Sequence, residues 1–230
     1  MQDELTKHGL KLYKTMADRK HSFGEKFKEI LIEIGIIVFA VSLSIWFHNW
    51  SEHHHEQKEV KEFLLGLRHD LSDDIRVLKE NCDTITTVDS NFTHAFSLHK
   101  NQLPDSIVHH YFYYSMVVTN LNNARYEGFK SSGKIGNIED DSLREAILVY
   151  YQQTVPAISD HETIVNKLQE KLLDYQIDNS NISINEFLAM TKTKGILQLS
   201  MENLNFSTGL YANAMKQAAS LISSIDNHTK

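Results

Sequence analysis

Three residue types are scarce in these 230 residues: there is one cysteine, and there are two prolines and nine glycines. The lone Cys82 excludes an internal disulfide framework, so the fold must hold by packing or by association. So few helix breakers disfavour a turn-rich β-fold and leave room for long helices. Basic charge is also short, because 23 Lys and Arg face 30 Asp and Glu for a net charge of −7. A nucleic-acid partner is disfavoured, since phosphate binding needs a concentrated basic surface. Catalytic signatures are missing as well. Cys82 has no obvious partner in sequence, and neither a glycine-rich phosphate loop nor an HExxH motif occurs, so no catalytic residue and no cofactor is assigned.

What is present begins with an apolar run. Ile34 to Phe47 carries no charge, and with Ile30, Leu31 and Ile32 it reaches the roughly 20 residues that a helix needs to cross a bilayer. The run is apolar on every face, which argues against the core helix of a soluble protein. Trp46, Phe47, His48, Asn49 and Trp50 end it with an aromatic cluster suited to lipid headgroups. A cleaved signal peptide is disfavoured because no small-x-small site follows. Lysines and arginines from Lys7 to Lys28 precede the run, whereas Lys58, Lys61 and Arg68 follow it among many acids. That bias predicts a bacterial inner-membrane anchor with its N-terminus cytoplasmic and the rest periplasmic. The expected organisation is a leader over 1–29, a transmembrane helix over 30–50, a juxtamembrane stalk over 51–80 and a helical bundle over 81–230.

Glu33 lies inside the span. An ionisable group there is expected either to reach the interface and a nearby lysine, or to make a helix–helix contact with a membrane partner. Gly35, Ala40, Ser42 and Ser44 supply small residues at which another helix could approach.

No Gly or Pro interrupts the chain from Ile36 to Leu65. Beyond the membrane, Val60, Leu64, Leu67, Leu71, Ile75 and Leu78 recur at spacings of three and four, the stripe of an amphipathic helix. One helix from near Phe23 to near Glu80, about 85 Å at 1.5 Å per residue, is the expectation. Thirteen histidines are abundant for this length. His48, Glu52 and His55 share a helix face and are the weak metal candidates of the chain. Histidine also suits pH sensing, and a solvated polar collar at the headgroups is the plainer reading of the run His53–His55.

Further helices follow. Thr84 to His99 reads as a weak one. Asp105 is a candidate N-cap for "SIVHHYFYYSMVV", although its β-branched and aromatic content also suits a strand. A short helix should end near Ser132 with Gly133 as its C′ residue, covered by Ile135 and Ile138. Ser142-x-x-Glu145 and Ser183-x-x-Glu186 read as capping boxes, Pro156 as a break or a kink, and Ser159-x-x-Glu162 as the next start. That helix should face inward with Ile164, Leu168, Leu172 and Tyr175. The last, from about Met201 to Ile225, should use Phe206, Leu210, Ala214, Ala218, Leu221 and Ile225. The fold class expected is all-α: a transmembrane helix continuing into a stalk helix and an extracytoplasmic bundle.

Two blocks carry a family likeness. "EIGIIVFAVSLSIWFHNWSE" followed by "EFLLGLRHDLSDD" resembles the N-terminal signature of a family of single-span membrane proteins common in Bacteroidota, a domain of unknown function. Glu33, Asn49, Trp50, Glu52, Asp70, Leu71 and Asp74 fall on its motif positions. "YEGFKSSGKIGNIEDDSLREAILVYY" is similar to its second block at Tyr126, Ser131, Ser132, Gly133, Ile138, Leu143, Arg144, Ile147 and Tyr150. Ile32 departs from a usual glycine, and the stretch after Trp50 is unusually rich in histidine. The resemblance implies the same topology and no activity. The functional expectation is a non-enzymatic scaffold or accessory subunit that self-associates or joins a membrane-protein partner at the lipid bilayer. The alternative is a periplasmic ligand- or pH-sensing module that signals through a partner.

Overall fold

The computed structural model describes Leu10, Tyr13 and residues 23–101, 103–112 and 115–229. Residues 1–22 of the expected leader, with the basic residues through Lys20, lie outside the described residues, Leu10 and Tyr13 apart. The fold is all-α, with no strand among the described residues. In chain order the elements are α1 Phe23–Lys100, α2 Asp105–Tyr111, α3 Ala124–Ser131, a 3₁₀ turn Lys134–Asn137, α4 Asp141–Val149, a π turn Tyr150–Thr154, α5 Val155–Asp178, α6 Ile184–Ala189 and α7 Thr191–His228. The chain divides into two units, Met1–Lys58 and Glu59–Lys230.

In the first unit, α1 carries a segment long and apolar enough to cross a membrane. Its most apolar 18-residue window has a mean hydropathy of 2.4 and is only 6% buried, which separates it from a buried core helix. Ile36, Phe39, Ile45, Trp46, Phe47 and Trp50 are all exposed. Glu33 is buried and engaged in a polar contact.

The second unit contains the core. α1 does not end near Glu80 but runs to Lys100, so the weak helix expected over Thr84–His99 is its continuation. The compact unit begins at Glu59 rather than at 81. Residues 59–80 of the expected stalk are therefore a bundle helix, with Val60, Leu64, Leu67, Leu71 and Leu78 buried. The stripe continues through Ile85, Val88, Phe92 and Ala95, again at steps of three and four. Each such side chain removed from water contributes ~1.5–3 kcal/mol.

α7 runs antiparallel to both other long helices. Arg68, early in the bundle part of α1, pairs at 2.6 Å with Asp226 near the end of α7. The far end of α1, at Thr93, Phe96, Ser97 and Lys100, shares a groove with Lys194, Leu197 and Met201 near the start of α7. Along α5, Thr154 bonds Gln217 at 2.8 Å, His161 meets the Asn203 carbonyl at 3.1 Å, and Tyr175 reaches Met190 at 3.4 Å.

Helix ends explain several local differences from expectation. Asp140, not Ser142, caps α4: its carboxylate accepts the Ser142 and Leu143 amides at 2.9 and 3.0 Å. Those bonds, with the Ser142 hydroxyl first, hold its pKa below the ordinary carboxylate value. The Ser183/Glu186 capping box forms as expected. Pro156 does not break the chain. It has no N–H to offer the Gln152 carbonyl, and the helix widens into the π turn just before it. That extra residue per turn brings two consecutive side chains, Tyr150 and Tyr151, inward. Ser159 is consequently an interior residue of α5 and not a cap.

Gly133 sits at φ +77° just past α3, donating its N–H to the Lys130 carbonyl at 3.0 Å. A Cβ at Gly133 would meet nothing within 4 Å, so substitution costs through backbone strain alone. Gly133→Val is expected to destabilise the bundle by ~1–3 kcal/mol, and Gly133→Asn by clearly less, because Asn tolerates the left-handed region. Equal melting temperatures for the two variants would show that backbone strain is not the cause.

Candidate functional site

Most polar side chains of an ordinary bundle face water, but here several occupy the helix stripes. On α1 the three-and-four spacing passes through Asp74 and Asn81, between Leu71 and Leu78 and between Leu78 and Ile85. On α5 it passes through Ile158, Glu162, Val165, Gln169 and Leu172. On α7 it includes Ser200, Ser207 and Tyr211. Ile75, Ile164 and Phe206, expected to point inward, are displaced by these polar neighbours. Ile75 is half-buried, and Ile164 and Phe206 are 50% and 60% exposed.

Asp74, Asn81, Glu162 and Tyr211 of these stripes meet a strap that has neither helix nor strand. α2 stops at Tyr111, and Ser115–Asn123 carries no helix, so the helix expected through "SMVV" is absent. Its β-branched and aromatic residues lose rotamer freedom in a helix, which weakens the helical alternative. A segment with neither helix nor strand must satisfy its backbone elsewhere. Asn166 of α5 does so at Val117, accepting its N–H at 2.9 Å and donating to its carbonyl at 2.7 Å. One turn earlier, Glu162 Oε2 accepts the Thr119 N–H at 3.0 Å. Glu162 Oε1 accepts short bonds from the Thr119 and Tyr211 hydroxyls. Asn81 of α1 donates to Thr119 Oγ1 at 2.8 Å. Asp74 Oδ1 takes both the backbone N–H and the side-chain amide of Asn122, at 2.8 and 3.0 Å. Val117, Thr119 and Asn122 of the strap are thus held by side chains in place of a neighbouring strand.

Around Asp74 the site becomes electrostatically unusual. The carboxyl is fully buried, and its second oxygen, Oδ2, has no hydrogen-bond partner among the described residues. The Tyr150 and Tyr151 hydroxyls, also buried, likewise lack a partner with good geometry. Burial pushes the Asp74 pKa up to about 6; the two Asn122 bonds oppose the rise, and the charges of Asp70 and Asp73 add to it. Burial raises both tyrosines as well, and next the charge of nearby Asp74. Tyr126 stacks on Tyr151 at 4.5 Å between ring centroids and receives a 2.7 Å bond from Gln152 on its hydroxyl. Arg125 pairs with Asp70 at 2.8 Å, its guanidinium lying where a Cβ on Gly66 would stand.

Residues 59–74 of α1 and residues 125–134 meet here. Besides Asp70–Arg125, Phe63 stacks on Phe129 with centroids 3.9 Å apart, and Lys134 bonds Glu59 at 2.9 Å. Ser131 and Ser132 donate their hydroxyls to the Gly128 and Phe129 carbonyls, and Arg144 donates to the Ile138 carbonyl at 2.8 Å. These three side chains, with Gly133, shape the α3–α4 turn. Asn49 and Trp50 are exposed in the first unit, where Trp50 stacks on His54.

The histidine candidates are not brought into a cluster. His48 and Glu52 come within 3.7 Å, both exposed, and among the described residues no group of three or more potential ligands could hold a metal. Cys82 is a free, half-buried thiol. Asp74 and Glu162 were legible only as motif or capping residues; the signal that could have exposed them is a carboxylate falling on an otherwise apolar three-and-four register.

No protein-family model, no curated protein and no solved structure matches the chain.

Proposed function

We propose that this protein is a membrane-anchored helical scaffold or accessory subunit that acts by protein–protein association, not by catalysis. One observation carries the reading: the exposed apolar segment of α1 belongs to the same helix that supplies the core stripe of an acidic bundle. Lipid covers such a segment, and the bundle is what remains to meet partners. The lysine-rich leader and acid-rich sequel favour a bacterial inner membrane with the bundle in the periplasm. The net charge of −7 favours a protein over a nucleic acid as the partner, either a second copy or another membrane protein. The likeness of its two blocks to the single-span Bacteroidota family supports the single-span topology.

Purification of the tagged full-length chain from its native host in mild detergent tests it. A defined oligomer or a stoichiometric co-purifying membrane protein is the expected result. A lone monomer at native expression would overturn it. A second reading, a sensing module signalling through a partner, is favoured by the buried Asp74 carboxyl and its pKa of about 6.

A further inference from the structure

We infer that Asp74, with Tyr150, Tyr151 and Asn122, forms a proton-operated latch that sets how tightly the strap Ser115–Asn123 is held against α1. The latch deepens the sensing reading for its use, but its existence is tested separately from the protein's role.

The geometry has three parts. First, Asp74 is the α1 group that binds the strap backbone directly, through Asn122. Second, both Asn122 bonds go to Oδ1, and Oδ2 has no donor of good geometry, while the Tyr150 hydroxyl interacts with the same carboxyl inside the buried cluster. A protonated carboxyl adds a donor to this set, which Tyr150 can accept. An ionised one adds a charge that water does not reach. Third, among the described residues no cation is positioned to neutralise that charge. On α1 the neighbouring titratable groups are Asp70 and Asp73, both repulsive. From α3 comes Arg125, already committed to Asp70, and Tyr126. The π turn presents Tyr150 and Tyr151, and the strap presents only the neutral Asn122. The buried residues of α7 at this level, Ala218 and Leu221, are apolar. His69 lies on the outer side of α1, paired with Asp73 at 3.4 Å.

The direction of the response follows. Burial raises the folded-state pKa, so the closed cluster holds its proton more tightly than an opened, hydrated one. Closure is favoured below the ordinary carboxylate value of about 3.9. It weakens as pH rises from there to about 6, and stays weak above that window. Acidification therefore tightens the strap, the opposite of the usual paired carboxylate.

Hydrogen–deuterium exchange on the full-length protein in detergent reads this directly. Once rates are corrected for the intrinsic pH dependence of exchange, strap amides in wild type should open on the order of tenfold more at about pH 7.5 than at about pH 4.5. Asp74→Asn keeps an acceptor for Asn122 and cannot ionise, and it should flatten that difference. Asp73→Asn, an exposed charge change on the same turn, should retain most of it. Corrected wild-type protection that does not change with pH would overturn the latch. So would an Asp74→Asn profile that follows wild type, since a purely structural Asp74 would alter protection equally at both pH values.

Discussion

Replacing Glu162 by alanine is expected to cost about 3–5 kcal/mol, more than any other single polar change in the bundle. The carboxyl accepts from the Thr119 amide, the Thr119 hydroxyl and the Tyr211 hydroxyl, and it is 6% exposed. Alanine leaves the Thr119 amide and the Tyr211 hydroxyl without this acceptor, although the Thr119 hydroxyl keeps the Tyr211 oxygen at 3.1 Å, and an orphaned buried donor loses the full desolvation term rather than the small net worth of a hydrogen bond. At roughly 2–4 °C per kcal/mol for a domain of this size, the melting temperature should fall by about 6–20 °C. Thr119→Val tests the same contact from the other side. Because the two residues share one network, the double variant should lose less than the sum of the singles. Circular dichroism melts of the full chain in detergent supply the numbers. A loss under about 1 kcal/mol for Glu162→Ala would mean that apolar contacts alone seat the strap.

The second large effect belongs to Leu71. It is fully buried on the α1 stripe, two turns from Leu65, which is 47% exposed on the same helix. Leu71→Ala should cost about 2–5 kcal/mol, the transfer term plus the cavity left behind. Leu65→Ala should stay within about 0.5 kcal/mol. The pair isolates burial from helix propensity, since the substitution is identical. Comparable losses would mean that residues 59–80 are a free-standing stalk and not a bundle helix.

Sequence reasoning found the helices more readily than it found their inward faces. The apolar run of α1, the αL glycine after α3 and the capping box of α6 each depend on local chemistry, and local chemistry is written in the neighbouring residues. The register of α5 is not. Ile164 and Leu168 are the obvious apolar positions, yet Glu162, Val165 and Gln169 are the buried ones, and Glu162 is there as an acceptor for the strap. The same exchange occurs on α1, where Asp74 takes the position that Ile75 seemed to claim. A polar residue on a core stripe is invisible to a hydrophobic count until its distant partner is known. Val117, Thr119 and Asn122 lie 43–49 residues away from theirs. The length of α1 was underestimated for another reason. Asn81, Asp83, Thr84, Thr86, Thr87 and Asp89 dilute its helical signal, and only packing against the rest of the unit settles it.

The strap also bears on the order in which the molecule can form. A helix closes its hydrogen bonds within four residues and a hairpin within a few more, so either can appear early and alone. Ser115–Asn123 has no such local stage. Its backbone partners are side chains on α1 and α5, which must be helical and near their final spacing before the strap gains anything by ordering. Loop-closure entropy must be met first for each contact. The segment should therefore add late, with φ-values near zero at Thr119 and Asn122, while Leu71 and Tyr211, in the helical core, should show fractional values. Folding speed and unfolding speed then separate along the chain: changes in the strap accelerate unfolding and leave the folding rate nearly untouched.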